Sequence, residues 1–533
     1  MKKFNLGAAF SDFVILGTAS KNTRHSSPKS EIITGDWLWV GIFVTFSLLF
    51  IKLVSLQLFA GGKYQVLADE NRIKTLNIPA PRGNILDRDG KTLENNPANS
   101  AVVGYVGEIS ASEVGLLKPN NKYLLKDNIG RAGLQKQYED SLKGINGARL
   151  VEVDNEGQVI RDLGERKSTP GVDLPTSIDA NSQLVAYESL AGKRGAVVVS
   201  DPNTGEIMAL VSSPGYDPTK VNQFLNDPNL PFFNRTIAGL YAPGSTFKMV
   251  TALSALGSGK ASKNFSVEDT GVISIAGFKY ANWFFTEYGG KDGVVDWVRG
   301  LTRSNDIFFY KVGELVGPET MAAWAQVVGF GTKTNIDLPG EVEGLIPTPL
   351  WKEKFKNEQW FLGNTYHMAI GQGDVLATPV QINLMTNILA TNKRCQLHIA
   401  KFSIYNLQFS MNDSMIKCSN VEISPDILDI IKAGMIGACK SGGTAFPFFD
   451  WSGPEVACKT GTAEYITEEG KYNTHAWFTI YAPADDPKIS VTVLVEGGGE
   501  GSRAAAPIAR KILSAYFGIE DKFNYQSLIG EGE

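Results

Sequence analysis

The feature that most constrains this chain is an apolar segment near its N-terminus. Trp37 to Ile51 contains no charged residue, and the apolar character resumes after Lys52 and continues to about Leu58. A helix that spans a bilayer needs about 20 such residues, because backbone polar groups in lipid must hydrogen bond within their own segment. Lys52 lies near one end, where its side chain can extend to the interface. We therefore predict a transmembrane helix over residues 37–58.

A cleaved signal peptide is the alternative interpretation of this segment. The tail before it, residues 1–36, is too long for the charged start of a signal peptide, and Leu58-Phe59-Ala60 lacks the small residues of a cleavage site. Basic residues outnumber acidic ones in the tail, which predicts a cytoplasmic N-terminus, although Lys63, Arg72 and Lys74 beyond the span weaken the contrast. We expect a single-pass protein of the cell (inner) membrane, with most of the chain periplasmic or extracellular.

Length and charge exclude some functions. A chain of 533 residues can form two or three domains with a sizeable core. Lys and Arg total 51 against 56 Asp and Glu, for a formal net charge of -5, and no basic tract is present. Because nucleic acid binding needs a basic surface to contact phosphates, we predict no nucleic acid partner.

The clearest candidate for chemistry is Ser245, in the stretch from Tyr241 to Lys248. Pro243 and Gly244 interrupt any earlier element and apolar residues then recur at helical spacing, which predicts Ser245 at a helix N-terminus with Lys248 one turn on. A neutral lysine there can take the proton of the serine hydroxyl, which is otherwise a poor nucleophile. Nearby positive charge and the helix dipole should lower the pKa of this lysine.

Ser-x-x-Lys alone is a weak signal. The chain holds two further copies, Ser26 to Lys29 and Ser414 to Lys417, and neither follows a helix breaker or precedes a long apolar helix. The ordinary interpretation of such a pair is a helix cap with a solvated lysine. Only partner residues elsewhere in the chain can favour the catalytic interpretation.

The order of elements beyond the anchor predicts an α+β fold. Residues 61–180 contain short strands and few large apolar runs, which indicates an elongated, strand-rich pedestal domain. A buried hairpin begins at Gly195, strands return between residues 455 and 496, and helical patterns fill the interval. We predict an antiparallel sheet, a helical lobe and a cleft between them in a domain over residues 185–518, followed by a C-terminal tail, residues 519–533.

Two further motifs can line that cleft. Ser304-Asn305-Asp306 opens a predicted helix, which by itself is an ordinary capped helix start. Lys459-Thr460-Gly461-Thr462 continues a strand, where a glycine allows a substrate backbone to approach closely. A rival, Lys440-Ser441-Gly442, ends a helix and is interpreted as a basic C-terminus with a glycine cap. Gly371-Gln372-Gly373-Asp374 predicts a tight loop without an evident chemical role.

The cysteines have no zinc-finger spacing. In an exported domain, Cys395 and Cys418 can bridge two strands of an insertion, and the sequence leaves this pairing open. Cys458 is interpreted as a buried strand residue.

The order Ser-x-x-Lys, Ser-x-Asp, Lys-Thr-Gly is the three-part signature of serine acyl-transfer enzymes that act on D-alanyl peptides and β-lactams. From about Trp37 to Phe517 the sequence resembles the class B penicillin-binding proteins, whose fold is a penicillin-binding/β-lactamase-like transpeptidase domain on a pedestal. Ser304-x-Asp306, rather than Ser-x-Asn, favours the elongation type over the division type. Other similar segments are Arg82 to Arg88, Asp201 to Tyr216, Gly371 to Gly373 and His475 to Phe478.

The sequence departs from the family pattern in two places. Gln135 stands where the family has a glutamate after Gly-Leu, and Thr479-Ile480 replaces a more usual Val-Gly. A pedestal contact and a local turn are therefore expected to differ, away from the three motifs.

The resemblance implies catalytic roles. Lys248 would deprotonate Ser245, which would attack the penultimate D-alanine of a peptidoglycan stem peptide and expel the terminal D-alanine. Ser304 would relay a proton to the leaving amine, and Asp306 would orient Lys248 or the substrate amide. An amine of a neighbouring stem peptide would then attack the acyl-enzyme and close a cross-link.

The resemblance also implies how substrate is held. Lys459 and the hydroxyls of Thr460 and Thr462 would bind the terminal carboxylate, with Gly461 allowing close approach. Backbone N–H groups of Ser245 and Thr462 would form the oxyanion hole. No metal or cofactor is implied.

The partners implied by the resemblance are stem peptides ending in D-Ala-D-Ala, β-lactams, membrane lipid, and a SEDS-family glycosyltransferase with other elongation-complex proteins. Three alternatives remain open: a division-type transpeptidase, a D,D-carboxypeptidase, and a largely non-catalytic activator of the glycosyltransferase.

Overall fold

The computed structural model describes residues 36–114, 123, 126–401, 418–467 and 469–528. The predicted tail before residue 36 lies outside the described residues, as do the Ser-x-x-Lys copies that begin at Ser26 and Ser414. The described residues form two compact units. One runs to Leu76 and includes Arg149–Glu165, and the other comprises Asn77–Ala148 and the chain from Arg166 onward.

The helices and strands are as follows. The α-helices are α1 Asp36–Val54, α2 Gly61–Arg72, α3 Ser100–Val103, α4 Ala111–Val114, α5 Gly133–Gln137, α6 Glu139–Leu142, α7 Ala180–Ser189, α8 Lys248–Gly257, α9 Trp283–Tyr288, α10 Trp297–Thr302, α11 Asp306–Val316, α12 Pro318–Val327, α13 Pro349–Lys356, α14 Leu362–Ala369, α15 Pro379–Thr391, α16 Pro425–Ala438 and α17 Ala506–Phe517. The strands are β1 Ile73–Ile78, β2 Ile85–Leu86, β3 Val106–Glu108, β4 Asn128–Gly130, β5 Gly147–Val153, β6 Val159–Arg166, β7 Leu174–Pro175, β8 Gly195–Ser200, β9 Ile207–Ser213, β10 Val267–Glu268, β11 Val272–Ile275, β12 Phe278–Ala281, β13 Val294–Val295, β14 Lys393–Cys395, β15 Cys418–Asn420, β16 Ala457–Ile466, β17 Tyr472–Ala482 and β18 Ile489–Val495.

Helix α1 has the properties of a membrane span. With the π-helical turn Ser55–Phe59 it forms a 23-residue apolar segment, Trp37–Phe59, none of which is buried inside the protein. An apolar helix left uncovered by its own chain is stable in lipid rather than in water. The segment is therefore a single candidate anchor among the described residues, and it extends one residue past the predicted end.

A five-stranded antiparallel sheet in the order β16-β17-β18-β8-β9 organises the second unit. In β8, Ala196 and Val198 face the core shared with the helical lobe, whereas Val197 and Val199 face a second core that includes α17. The sequence predicts burial on at least one face of this hairpin, and both faces are covered. The α+β prediction is confirmed.

One part of the helical lobe differs from the sequence prediction. Residues 267–295, which we call the insert, hold four short strands and only one helix, α9, where a helical pattern is expected. In the hairpin β11–β12, Ala276 and Gly277 both have positive φ, 47° and 86°, as a type I′ turn requires. Residues Val272–Ile275 therefore form a strand, which pairs with Phe278–Ala281 across this turn.

Two disulfides join cysteines that are 23 and 19 residues apart in the chain. Cys395 pairs with Cys418 across β14 and β15, the pairing that the sequence leaves open. Cys439, at the end of α16, pairs with Cys458 in β16. Cys458 is a buried strand residue as predicted, but its partner is not evident from the sequence because the end of α16 meets β16 only in the folded domain.

The two departures from the family pattern are accommodated locally. Gln135 Oε1 accepts a hydrogen bond from Arg82 Nε at 2.5 Å, and Glu139 supplies a carboxylate to the same guanidinium at 2.6 Å. The Thr479 hydroxyl lies 2.7 Å from that of Thr386 in α15 and 2.9 Å from that of Thr492 in β18. The expectation that both departures lie away from the three motifs is therefore wrong for Thr479, which pairs with Lys459 of the third motif across β16 and β17.

Candidate active site

Ser245 lies in a short 3-10 helix, Gly244–Phe247, immediately before α8. The sequence predicts an α-helix from Ser245, but α-helical bonding begins only at Lys248. Gly244 has a φ of +54°, a conformation that favours glycine and delays the regular helix. In a 3-10 turn, side chains three residues apart eclipse, and the Lys248 N–H donates to the Ser245 carbonyl. Lys248 therefore follows Ser245 by one tight turn.

The 3-10 helix is pressed against strand β16. A Cβ atom at Gly244 would lie 2.6 Å from the Thr462 carbonyl oxygen, and one at Gly461 would lie 3.0 Å from Thr246 Cγ2. Real Cβ contacts are not this short, so glycine at both positions permits the approach. Ser245 is half-buried between these contacts, beside the Gly461-Thr462 segment.

Lys248 is fully buried and makes three polar contacts with one segment. Its Nζ lies 2.7 Å from the Ser304 carbonyl oxygen, 3.2 Å from Ser304 Oγ and 2.6 Å from Asp306 Oδ1. A buried amine is stable only when such acceptors surround it. These contacts join the first and second motifs.

Ser304 joins the second motif to the third. Its φ is +53°, in the left-handed region that a serine adopts at a cost of roughly 1 kcal/mol or more. In this conformation Ser304 Oγ lies 2.8 Å from Lys459 Nζ, so the hydroxyl stands between the two lysines. The Asn305 side chain caps the next helix by accepting from Phe308 N–H at 2.9 Å.

Lys459 is also fully buried, and its Nζ is 2.9 Å from the Thr460 carbonyl oxygen. The Thr460 hydroxyl is 2.7 Å from that of Thr444, and the Thr462 carbonyl accepts from Gln372 Nε2 at 3.3 Å. The third motif thus presents two threonines and a glycine beside Ser245, with Lys459 behind them.

Both lysines have lowered pKa values. Burial lowers the pKa of Lys248, and the charge and hydrogen bond of Asp306 oppose this shift. Burial holds the pKa of Lys459 well below its usual value, the charge of Lys248 lowers it further, and Asp306 opposes both. The direction for Lys248 is as expected, but burial is its main cause rather than the helix dipole. Because a single carboxylate, Asp306, acts on both lysines, a state with two ammonium groups is disfavoured.

Several neighbours of the site were not identified from the sequence as functional. Thr444 lies just after the rival motif, whose Lys440 is 62% exposed and pairs with Glu455, so that lysine is remote from the chemistry. Gln372, in the loop without an assigned role, contacts Thr462 directly. The backbone N–H of Trp283 donates to Asp306 Oδ2 at 2.9 Å. A backbone donor leaves no signature in the side-chain pattern.

No group of His, Cys, Asp and Glu side chains suited to a metal ion occurs within the ranges that the structure describes.

Comparisons with known proteins agree with this arrangement. Residues 195–514 match the penicillin-binding protein transpeptidase domain, and residues 94–176 match the penicillin-binding protein dimerisation domain. The peptidoglycan D,D-transpeptidase MrdA of Haemophilus influenzae is 33% identical over 449 residues, which cover 78% of this chain and 67% of that protein. The chain thus spans about two thirds of the length of this relative.

Solved structures of similar fold lead to the same family. The chain superposes on Pseudomonas aeruginosa PBP2 in complex with WCK 5153 with a TM-score of 0.71 and 32% identity, covering 85% of this chain and 99% of that one. For PBP2 in a complex with MreC from Helicobacter pylori, the TM-score is 0.72 at 26% identity, with 84% and 99% covered. Together with the transpeptidase match over most of the second unit, these likenesses show that the chain belongs to the penicillin-binding protein transpeptidases, of the class B, elongation-type (PBP2) group.

Proposed function

We propose that this chain is a peptidoglycan D,D-transpeptidase that cross-links stem peptides during cell-wall elongation through an acyl-enzyme on Ser245. The observation that carries the proposal is the position of Ser304 Oγ, 3.2 Å from Lys248 Nζ and 2.8 Å from Lys459 Nζ, with Ser245 one 3-10 turn before Lys248. A hydroxyl shared by two amines of lowered pKa is suited to moving protons to and from a reacting serine.

In the acylation step, neutral Lys248 takes the proton of the Ser245 hydroxyl. The oxygen bonds to the carbonyl carbon of the penultimate D-alanine, and the bond from that carbon to the terminal D-alanine nitrogen breaks. The leaving amine receives its proton from Ser304, which is replenished from the lysines on either side of it. Asp306 holds Lys248 in place through the contact at 2.6 Å.

Substrate binding uses the third motif. The N–H groups of Ser245 and Thr462 face the developing oxyanion, a kind of contact worth on the order of a hundredfold in rate. Thr460 and Thr462 bind the terminal carboxylate, and Lys459 provides positive charge behind them. Gly461 allows β16 to pack closely against the 3-10 helix and β17, because a side chain there would meet Thr246 and Trp477.

In the second step, an amine of a neighbouring stem peptide attacks the ester carbon and the bond to Ser245 Oγ breaks. The amine proton returns to the serine through Lys248, so the enzyme is regenerated without a cofactor. β-Lactams resemble the D-alanyl terminus and therefore acylate the same serine.

We also propose the placement and partners of the chain. The pedestal, residues 61–180, and the transpeptidase domain, residues 185–518, lie outside the cytoplasm, with the N-terminus inside. The complex of Helicobacter pylori PBP2 with MreC supports elongation-complex proteins as partners. A SEDS-family glycosyltransferase is the partner proposed for the anchor and pedestal.

Labelling with a fluorescent penicillin tests the nucleophile. We expect wild type to be labelled in membranes, and Ser245→Ala to take up no label while keeping its thermal unfolding profile. Labelling of Ser245→Ala would refute the assignment. Product analysis with a stem peptide and an amine acceptor would then distinguish transpeptidation from D,D-carboxypeptidase activity, which releases D-alanine without forming a cross-link.

A further inference from the structure

Four buried polar side chains form a cluster behind the second motif. We call Asp269, Asn282, Asp292 and Asn305 the Asp269 cluster; their exposed fractions are 2%, 0%, 6% and 0%. Three of them belong to the insert, residues 267–295, and Asn305 precedes α11. The family signature includes none of the three from the insert.

Asp269 is the centre of this cluster. Its Oδ2 accepts from Asn282 Nδ2, Asn305 Nδ2 and the Asp292 N–H, each at 2.9 Å, and its Oδ1 accepts from the Gly271 N–H at 2.8 Å. A buried carboxylate is tolerated when several donors satisfy it. The four bonds therefore tie three points of the insert to the residue that precedes Asp306.

Both asparagines must donate and accept at once. Asn282 donates to Asp269 while its Oδ1 accepts from the Asp306 N–H at 3.1 Å. Asn305 donates to Asp269 and, at 3.0 Å, to Asp292, while its Oδ1 caps α11. A carboxylate at either position could not donate, so the amide is the side chain that completes the network.

The network controls both ends of Asp306. Asn282 holds the Asp306 backbone, and the next residue, Trp283, donates its N–H to Asp306 Oδ2 at 2.9 Å. The other carboxylate oxygen, Oδ1, is then left to face Lys248 at 2.6 Å. Because residues 282 and 283 are adjacent, a shift of Asn282 would also move the donor that orients the carboxylate.

The charged and titratable groups around this contact come from two elements. Lys459 in β16 faces both Lys248 and Asp306, and Tyr310 in α11 faces Asp306. Against the burial of Lys248, Asp306 is the group that raises the pKa of this lysine. A displaced carboxylate would therefore leave Lys248 more readily deprotonated but less well placed.

We infer that Asn282, held by Asp269, is a positioning residue for acyl transfer: it fixes the Asp306 carboxylate on Lys248 from the insert. The inference rests on the proposed function, since it assigns a task to the insert within that reaction. It makes the geometry of the Ser245–Lys248 pair dependent on a segment that contributes no side chain to the three motifs.

The test compares Asn282→Ala with a matched variant, Asn383→Ala, in the full-length protein. Asn383 is equally buried in α15 and bonds through both ends of its amide, to Ser200 and Ser490, in the sheet core. Rates of acylation by labelled penicillin would be measured at several drug concentrations from pH 5 to 9 and expressed per active site. For Asn282→Ala we expect the first-order acylation constant to fall about 10- to 100-fold, as for an angstrom-scale misplacement.

We also expect the acid limb of the acylation profile to move to lower pH for Asn282→Ala, while the non-covalent dissociation constant stays within about twofold. Asn383→Ala should lose stability but keep the wild-type profile. If Asn282→Ala does not fold, Asp269→Asn is used, with the same expected changes. A variant that folds and keeps the wild-type rate and acid limb overturns the inference, whereas absence of label on wild type overturns the proposed function instead.

Discussion

Two sites in the second unit each combine one carboxylate with two cationic side chains. In the lysine site, Asp306 Oδ1 is 2.6 Å from Lys248, and Lys459 lies on the far side of Ser304. In a second site, which we call the arginine cluster, Glu496 accepts from Arg235 at 2.8 Å and from Arg194 at 2.7 Å. The two sites have the same balance of charge but different chemistry.

The difference lies in the cation. An arginine keeps its proton in proteins, whereas a buried lysine can lose one. Burial raises the pKa of Glu496, but the hydrogen bond from Tyr241 and the charges of Arg235 and Arg194 lower it more. The arginine cluster is therefore a set of fixed charges, while the lysine site can redistribute protons.

The two sites are connected through the chain. The Tyr241 hydroxyl donates to Glu496 Oε1 at 2.7 Å, four residues before Ser245. A permanent ion cluster thus anchors the start of the stretch whose other end carries the reactive pair. The arginine cluster therefore provides rigidity, and the lysine site provides proton transfer.

The largest expected effect is on Lys248→Arg. This substitution keeps a buried cation but removes the possibility of a neutral base, so it makes the lysine site resemble the arginine cluster. We expect acylation by labelled penicillin to fall by at least about 10⁴-fold, since general base catalysis and the action of the pair as a unit are lost together. Lys260→Arg, at an exposed lysine whose Nζ contacts the Val316 carbonyl, is the control for the substitution itself and should react normally. Appreciable acylation by Lys248→Arg would mean that a permanent charge suffices.

The second prediction concerns Glu496→Gln. The Arg235 side chain is fully buried, and loss of the carboxylate leaves its charge uncompensated. Removing one partner of such a pair costs about 3–5 kcal/mol, which should appear in the free energy of unfolding of the detergent-solubilised chain. The acylation rate of the fraction that remains folded should change far less than in Lys248→Arg. A stable Glu496→Gln with impaired acylation would reverse the roles assigned to the two sites.

The sequence is informative about the lysine site because its motifs are local. Each motif lies at the start of a recognisable helix or within a recognisable strand: Ser245 to Lys248 and Ser304 to Asp306 open helices, and Lys459 to Thr462 continues a strand. The structure places Lys248, Ser304, Asp306 and Lys459 within hydrogen-bond distance of one another through a chain of contacts. The α+β plan is likewise predictable, since apolar runs at both ends of the domain indicate one sheet.

The features that the sequence does not reveal are tertiary contacts. The donor of Trp283 to Asp306 is a backbone group, and the contacts of Asn282 depend on an insert whose strands are too short for periodicity to detect. The pairing of Cys439 with Cys458 and the contact of Thr444 with Thr460 require the end of α16 to meet β16. The two residues of each pair are too far apart in sequence to belong to one helix or strand pattern.

The third prediction concerns the pH dependence of stability, which should differ between the arginine cluster and the lysine site. His475 lies against Tyr241, with ring centroids 5.2 Å apart, and burial lowers its pKa from 6.5 to about 4, partly opposed by Glu496. The unfolded chain takes up this proton first, so stability contributed by neutral His475 is complete above about pH 6.5 and is lost as the pH falls toward 4. We expect a loss of about 2 kcal/mol over this interval, allowing for partial exposure.

Urea unfolding at several pH values would measure this dependence, and His475→Gln should flatten it between pH 6.5 and 4. The lysines act with the same sign in a higher pH window, because their lowered pKa values also make the folded state gain stability as the pH rises toward 10.5. An unchanged slope in His475→Gln would show that the acid sensitivity arises outside the arginine cluster.

The smallest expected effect distinguishes the two arginines of the same cluster. The Arg194 side chain is 45% exposed, whereas that of Arg235 is fully buried and also donates to the backbone carbonyls of Asn229 and Leu230. Because solvent screens an exposed ion pair, Arg194→Ala should lower the free energy of unfolding by less than about 1 kcal/mol. Arg235→Ala should cost several times more, since it removes the buried cation from Glu496 and the side-chain donor from the Asn229 carbonyl. Equal losses would mean that burial does not distinguish the two arginines, and the cluster would then have to be treated as one cooperative charge network anchored at Tyr241.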